Sequence, residues 1–256
     1  MIFDTHAHYD CEQFDIDRDE LLQSFPKNGI DYVVNVGVSV KSLNTTIELA
    51  EKYPFIYAAL GIHPNNVGEL NCEVMLKLEE LIKYSKVIAV GEIGLDYYWN
   101  KEPKDIQKMW FIRQIELAKK HNLPIIVHSR DAAKDTLDII KENKANIVGG
   151  VIHCFSYSKE LVSEYLELGF YLGIGGSLTY KNNNKTKNVV LETPIERIVL
   201  ETDCPYLSPV PKRHERNSTL NLLHVAEEIA LIKVITIEEV FRVTKANALK
   251  MYGMSI

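Results

Sequence analysis

Short apolar runs alternate along the chain with longer segments in which apolar residues recur at helical spacing. The runs are rich in β-branched residues and are typical of strands that are buried on both faces. They predict eight strands, at residues 2–6, 32–38, 56–62, 87–93, 124–128, 147–153, 170–174 and 197–202.

Five of the segments between these runs predict helices. The most regular has apolar residues three to four positions apart, which places them on one face of a helix. Gly29 and Gly169 stand at helix-to-strand connections, where a left-handed residue ends a helix, and Pro124 stops another helix. The predicted helices are residues 40–52, 73–84, 104–121, 131–143 and 159–168.

Strands that alternate with helices predict an α/β protein with a parallel sheet. The spacing of apolar residues does not separate a closed (β/α)8 TIM-type barrel from an open doubly wound sheet. Side chains that can bind metal end strands one, four, five, six and eight, and only barrel closure brings those ends to one mouth. We therefore predict a (β/α)8 barrel that forms one domain over residues 1–256.

Composition excludes several classes of protein. With 46% apolar and 25% charged residues, the chain has the composition of a globular protein rather than a disordered one. No apolar run approaches the roughly 18 residues of a membrane span, and no secretory leader pattern is present, so we expect a cytoplasmic protein without membrane contact. The cysteines form no Cys-x-x-Cys pair, which argues against a zinc module or a disulfide framework; they are Cys11, Cys72, Cys154 and Cys204.

The most informative polar pattern is the pair His6 and His8 at the end of the first predicted strand. Side chains alternate across a strand, so both imidazoles point to one side. Glu92 stands inside the apolar fourth strand, where an unpaired charge is costly. Other metal-capable residues end later strands. The predicted metal ligands are His6, His8, Glu92, His128, His153 and Asp203, with Glu201 beside them.

Each of these residues also has an interpretation without a metal. The two N-terminal histidines could form an exposed pair, and Glu92 could pair with an arginine. His128 and His153 could be hydrogen-bonded core histidines, and Asp203 could cap a helix. Together, however, the imidazoles and carboxylates are too many for one ion. They predict two divalent ions per chain, Mg²⁺, Mn²⁺ or Zn²⁺ before Ni²⁺ or Fe²⁺, with Glu92 as the bridge.

Six motifs follow one another along the chain. They are Phe3-Asp4-Thr5-His6-Ala7-His8, Gly61-Ile62-His63-Pro64, Gly91-Glu92-Ile93-Gly94-Leu95-Asp96-Tyr97, Leu123-Pro124-Ile125-Ile126-Val127-His128-Ser129-Arg130, His153-Cys154-Phe155-Ser156 and Leu200-Glu201-Thr202-Asp203-Cys204-Pro205-Tyr206-Leu207. In these motifs the chain resembles, almost from end to end, the TatD-type metal-dependent deoxyribonucleases, a branch of the amidohydrolase-like barrels.

The resemblance implies a role for each matching residue. One ion would be held by His6, His8, Glu92 and Asp203. The second ion would be held by Glu92, His128 and His153. Asp203 would orient the attacking water and accept its proton. The remaining catalytic candidates, His63 and Glu201, match positions beside the ions, where in some relatives such residues help to hold a third ion.

The activity implied is hydrolysis of a phosphodiester by a deoxyribonuclease, acting as a 3′–5′ exonuclease on DNA ends. The net charge of −6, from 29 basic and 35 acidic residues, is a weak objection to a nucleic acid substrate, because bound cations change the local sign. The predicted substrate contacts are Arg130, Arg213, Arg216 and Tyr206. A lysine group at residues 181–187 could extend a basic rim, and the rings of residues 97–99 could stack on unpaired bases.

One loop departs from the family pattern. After the turn at Asp203 the family usually continues with Pro-x-Arg-Gly-x-x-Asn, and here His214 stands where glycine is expected. If this position had a positive φ, histidine would strain the backbone or redirect the loop. Substrate preference is therefore less securely predicted than metal binding.

Two other functions fit much of the same pattern. A binuclear amidohydrolase that acts on a C–N bond, or a hydrolase of another small ester, shares the histidine pair and the late aspartate. Many such amidohydrolases bridge their ions with a modified lysine, where Glu92 stands here. A scaffold that binds nucleic acid without cleaving it would lack a ligand, and none is missing. The helix surfaces offer no coiled-coil seam, so we expect a monomer without an obligate protein partner.

Overall fold

The computed structural model of the chain describes residues 1–99 and 101–254. Eight strands among these residues form one sheet in the order of the sequence, from β1 to β8. With helices between the strands, this is the (β/α)8 TIM-type barrel that the sequence predicts. The strands are β1 (Ile2–Ala7), β2 (Ile30–Val36), β3 (Ile56–Leu60), β4 (Val87–Asp96), β5 (Ile125–Arg130), β6 (Gly150–Ile152), β7 (Tyr171–Ile174) and β8 (Ile198–Leu200).

The described residues contain nine α-helices, of which the sequence predicts five. None of them combines the length and the apolar character that crossing a membrane requires. They are α1 (Arg18–Ser24), α2 (Val40–Lys52), α3 (Cys72–Leu81), α4 (Lys104–His121), α5 (Ala133–Glu142), α6 (Glu160–Glu167), α7 (Asn184–Glu192), α8 (Leu222–Lys233) and α9 (Ile237–Met251).

Local sequence signals fix several element ends. Gly29 and Gly169 have φ of 73° and 83°, which confirms the left-handed conformation predicted there. Helix α2 begins after Ser39, whose hydroxyl accepts a hydrogen bond from the Ser42 N–H in a capping box. Helix α4 ends at His121 and is capped by Asn122, whose φ of 53° is also left-handed.

The chain divides into two compact units. The first comprises residues 1–34, 154–167 and 171 onward. The second comprises residues 35–153 and 168–170. The sequence predicts that the chain is one domain, and this stays a prediction.

In the first unit the first strand lies beside the last, as barrel closure requires. Ala7 forms a parallel bridge with Cys204, and the Thr5 hydroxyl donates to the Leu200 carbonyl at 3.0 Å. Strand β8 also pairs with β7 and packs on a buried apolar cluster that includes Val225 and Ile229 of α8. This packing fixes the ends of β1 and β8 next to each other.

In the second unit β3 to β6 are paired in parallel, and β4 is buried along its whole length. Strand β4 continues three residues beyond the predicted end, to Asp96. Gly94 lies opposite His128 in the register with β5. It has a φ of 143°, and a Cβ there would collide with the His128 carbonyl oxygen. Glycine at this position therefore permits the pairing that places His128.

We expect Gly94→Ala to lower the free energy of unfolding by about 3 kcal/mol, because the methyl group meets backbone and the φ is strained. Gly149→Ala is the matched control, since Gly149 has a positive φ of 65° but no atom within 4 Å of the added Cβ. Its expected cost is about 1 kcal/mol. Urea unfolding followed by circular dichroism measures both. If both substitutions lowered the free energy of unfolding equally, the collision with the His128 carbonyl would not be the reason that position 94 requires glycine.

Candidate metal centre

The first ligand group consists of His6, His8 and Asp203. The Nε2 atoms of the two histidines are 3.1 Å apart. Asp203 Oδ1 lies 3.2 Å from Nε2 of His8 and 3.8 Å from Nε2 of His6. The backbone holds this arrangement, because the Asp203 N–H donates to the His6 carbonyl at 2.9 Å. Two imidazole nitrogens and one carboxylate oxygen thus converge from β1 and from the residues after β8.

Below this group the Asp4 carboxylate joins β1 to the segment that follows β8. Its Oδ1 accepts a hydrogen bond from the Thr202 N–H at 3.0 Å, and its Oδ2 accepts one from each hydroxyl of Thr202 and Thr219 at 2.7 Å. Burial raises the pKa of Asp4 to about 7, although the hydrogen bonds from Thr219 and Thr202 act to lower it. Our sequence reasoning did not single out Asp4; the available signal was a charged residue within an apolar strand.

The second ligand group surrounds the buried carboxylate of Glu92 and comprises Glu92, His63, His128 and His153. Glu92 Oε1 lies 2.7 Å from Nδ1 of His128. The same oxygen is 3.7 Å from Nε2 of His63 and 4.0 Å from Nε2 of His153. A carboxylate that is 4% exposed is costly to bury without positive charge nearby, so the arrangement favours a cation at this point.

Asp96 orients His128 from the other side of the ring. Its Oδ2 lies 3.1 Å from His128 Nε2, while Nδ1 of the same ring contacts Glu92. Burial alone would raise the pKa of Asp96, but hydrogen bonds from His128 and from the Trp99 N–H lower it to about 2. Burial lowers the pKa of His128, and its hydrogen bonds to Asp96 and Glu92 outweigh this and raise it above the usual value. A carboxylate on the second nitrogen is the usual support of a metal-binding histidine.

The hydrogen bond at His63 assigns its tautomer. Nδ1 of His63 accepts from the Asn65 N–H at 3.1 Å. In the neutral ring the proton is therefore on Nε2, the nitrogen that faces Glu92. Nε2 of His63 lies 3.7 Å from Glu92 Oε1, a separation too long for a direct hydrogen bond, and the predicted catalytic role of His63 stays a prediction.

Helix α4 supports the second group through two buried glutamines. Gln114 accepts from the Ile62 N–H at 2.8 Å and donates to the Ile62 carbonyl at 3.1 Å, directly before His63. Gln107 makes the same pair of hydrogen bonds with the backbone of Asp96, at 2.8 and 3.1 Å. Sequence reasoning missed both residues, although polar residues on the buried side of a predicted helix are a usable signal.

Glu201 is fully buried in the first unit. Its Oε1 accepts a hydrogen bond of 2.5 Å from the Cys154 N–H. A Cβ at Gly173 would collide with this carboxylate, so glycine on β7 leaves the room that Glu201 occupies. Its predicted role beside the metal ions stays a prediction.

Both ligand groups fit a divalent cation in the chemistry of their donors. Within the first group, and among His63, Glu92 and His128, the ligand atoms lie within 4.8 Å of one another. Imidazole nitrogen and carboxylate oxygen are a mixture suited to Zn²⁺ and to other divalent transition ions. The bridging role of Glu92 and the assignment of each ligand to one ion stay predictions.

The four predicted substrate contacts have different surroundings. The Arg130 guanidinium lies 4.0 Å from the centre of the Tyr98 ring, and that of Arg213 lies 4.2 Å from the Tyr180 ring. Arg216 donates to both carboxylate oxygens of Asp17, at 2.6 and 2.8 Å. Tyr206 is exposed. Arg216 therefore has a structural partner within the chain, and a substrate role for all four residues stays a prediction.

His214 does not have the strained conformation considered for it. It is exposed, and it is not among the described residues with positive φ. Histidine is therefore compatible with this loop, which Asn217 anchors through hydrogen bonds to the carbonyls of Thr202 and Tyr206.

Comparison with known proteins places the chain in a family. Residues 3–253 match the family described as TatD related DNase. The chain belongs to this family. It is 45% identical to an uncharacterized metal-dependent hydrolase, YabD, of Bacillus subtilis, over the full length of both proteins. It is 30% identical to the 3′-5′ ssDNA/RNA exonuclease TatD of a Rahnella strain, over 99% of each chain.

Solved structures of TatD proteins have the same fold. The TatD homologue YJJV of Escherichia coli matches with a TM-score of 0.93 and 27% identity, over 99% of this chain and 98% of that one. A TatD family hydrolase of Entamoeba histolytica matches with a TM-score of 0.89 and 26% identity, over 99% and 98%. The chain is accordingly a metal-dependent hydrolase of the TatD family.

Proposed function

We propose that this TatD family member is a two-metal nuclease that removes nucleotides from the 3′ ends of single-stranded DNA. The proposal depends mainly on one observation: Glu92 is a buried carboxylate with three imidazoles around it. The first ligand group offers a second set of donors of the same kind. The name of the Rahnella relative supports a single-stranded substrate and the 3′–5′ direction.

The side chains of the chain itself have distinct tasks in this reaction. Divalent cations held by the two groups would lower the pKa of a water molecule and neutralise charge on the phosphate. Asp203, whose side chain is 17% exposed, would accept the proton of the attacking water, and His8 holds its carboxylate at 3.2 Å. Asp96 keeps the His128 ring in place, and Asp4 keeps β1 and the residues after β8 together. Glu201 and His63 would complete the polar surroundings of the reacting phosphate.

The test uses one single-stranded oligodeoxynucleotide labelled at the 5′ end or at the 3′ end, with Mg²⁺, with Mn²⁺ or with EDTA. A 3′–5′ exonuclease gives a ladder of shortened products from the 5′-labelled strand and free labelled nucleotide from the 3′-labelled strand. We expect both patterns with metal and neither with EDTA.

Other product patterns would contradict parts of the proposal. A ladder from the 3′-labelled strand would reverse the polarity, and internal fragments from both strands would indicate an endonuclease. Intact oligonucleotide together with hydrolysis of bis(p-nitrophenyl) phosphate would restrict the activity to small esters. Hydrolysis of cyclic amides alone would indicate action on a C–N bond.

A further inference from the structure

Two exposed aromatic rings and an arginine form a cluster at the carboxyl ends of β4 and β5. The rings of Tyr98 and Trp99 have their centres 5.1 Å apart and lie nearly perpendicular, at 88°. The Arg130 guanidinium lies 4.0 Å from the Tyr98 ring centre and 5.7 Å from that of Trp99. We call these three residues the aromatic platform.

The backbone of the platform is held by the carboxylate that also orients His128. Asp96 Oδ1 accepts hydrogen bonds from the N–H groups of Tyr98 and Trp99, at 3.0 and 2.9 Å, while its Oδ2 contacts His128 Nε2 at 3.1 Å. Arg130 lies opposite Asp96 in the register of β4 with β5. One buried side chain thus connects the platform to the second ligand group.

The rings of the platform are available to a ligand. Tyr98 is 55% exposed and Trp99 56% exposed, so about half of the surface of each residue remains open to solvent. An exposed aromatic face beside a cation is the surface on which a nucleobase stacks, and any of the four bases can do so.

The charge of Arg130 is also available. In residues 1–99 and 101–254 no carboxylate forms an ion pair with Arg130, whose guanidinium lies over the two rings. Two other basic residues of the predicted rim do have acidic partners. Arg216 forms an ion pair with Asp17, and Nζ of Lys187 lies 2.6 Å from Oε1 of Glu228. A guanidinium without an acidic partner is suited to a phosphate oxygen.

We propose that the aromatic platform is a subsite that stacks an unpaired nucleobase, with Arg130 contacting the adjacent phosphate of the strand that is cleaved. This inference rests on the proposed nuclease function and adds to it a source of the preference for single strands. A base within a duplex is already stacked and paired, so it reaches the platform only after the cost of unpairing.

Kinetics of Tyr98→Ala and Trp99→Ala test the subsite on three substrates. They are a single-stranded oligodeoxynucleotide, the same strand with abasic residues at its last three positions, and bis(p-nitrophenyl) phosphate. We expect KM for the normal strand to rise about tenfold, with kcat within about twofold. The abasic strand and the small diester should show no difference from wild type, because neither offers a base. Tyr84→Ala is the matched control, since Tyr84 is an exposed tyrosine that precedes β4, at the opposite end of the strand from Asp96.

Failure of the inference is distinguishable from failure of the proposed function. If wild-type protein degrades the normal strand and both variants keep the wild-type KM, the platform is not a base subsite and the nuclease function stands. If wild-type protein degrades no oligonucleotide, the proposed function fails before the variants are compared. An equal rise in KM for the normal and abasic strands would overturn base stacking.

Tryptophan fluorescence gives a readout that does not depend on turnover. The chain has two tryptophans, Trp99 and Trp110, so Trp99→Phe leaves one emitter and keeps a ring on the platform. We expect a phosphorothioate thymidine hexamer to quench wild-type emission and to leave that of Trp99→Phe unchanged. Quenching that is equal in both proteins, or that an abasic strand produces equally well, would overturn the assignment.

Discussion

Glu92→Gln is expected to reduce phosphodiester hydrolysis by about a thousandfold or more. Glutamine keeps the shape of the side chain but removes the negative charge that faces three imidazoles. Loss of a charged ligand removes several kcal/mol of transition-state stabilisation, and each 1.36 kcal/mol corresponds to a factor of ten in rate. The measurement is the initial rate on bis(p-nitrophenyl) phosphate and on a single-stranded oligonucleotide, with Mn²⁺ in excess.

Stability separates this loss from unfolding. Glutamine has the shape of glutamate and keeps an oxygen at this position, so in EDTA the Glu92→Gln variant should unfold close to the wild-type temperature. With Mn²⁺ it should gain less stability than wild type, because ligand binding to the folded state raises the unfolding temperature. The control is Glu73→Gln, an exposed glutamate of α3. Activity that survives in Glu92→Gln would remove Glu92 from the metal centre.

Asp203→Asn is expected to have a comparable effect on hydrolysis, for a different reason. Asp203 has a φ of 54°, a left-handed conformation that asparagine adopts readily, so the substitution changes charge and basicity rather than the backbone. An amide cannot accept the proton of the attacking water, and it binds a divalent cation more weakly than a carboxylate does. We expect a loss of about a thousandfold in kcat.

The chain offers a closely matched control for this substitution. Asp131 is an exposed aspartate with a φ of 53° that follows β5, so Asp131→Asn makes the same chemical change on the same backbone conformation. Its rate should stay within about twofold of wild type. If both variants lose activity equally, a general change in charge at the strand ends, and not proton transfer by Asp203, would account for the loss.

Apolar runs predicted the strands well because most of the apolar residues in the strands are buried. The predicted ends were less accurate where a short turn interrupts an apolar run. Residues 145–147 form a 3₁₀ turn after Lys144, whose φ is 53°, so β6 begins at Gly150 instead of residue 147. In contrast, the apolar spacing in α2 and α4 predicted the first and the last residue of each helix correctly.

The last two helices were not predicted, and their sequences explain why. In α8, apolar residues stand on all sides, with Val225 and Ile229 buried but Leu231 76% exposed, so no clear stripe appears. In α9, polar residues belong to the buried side. The Asn247 amide, for example, donates to the carbonyls of Ile195 and Ile198. Polar residues with tertiary partners interrupt the pattern from which a helix is predicted.

Sequence reasoning found the metal-capable residues at strand ends but not the residues that support them. The spacing of His6 and His8 and the position of Glu92 within an apolar strand are local features of the sequence. The partners of Asp96 and Gln114 are set only when α4, β4 and the residue before His63 come together. The order of residues along the chain does not by itself predict these contacts.

The paired glutamines of α4 connect the outer layer of the barrel to the second ligand group. Gln107 and Gln114 are seven residues apart, which is two turns of helix. Each forms hydrogen bonds with both the N–H and the carbonyl of one residue near the second ligand group. A substitution that tilts or slides α4 would therefore move His63 and Asp96 together. A random mutational screen for lost activity should find changes in a helix that contributes no ligand, and transplanting the ligand residues onto another barrel would also require these two amides.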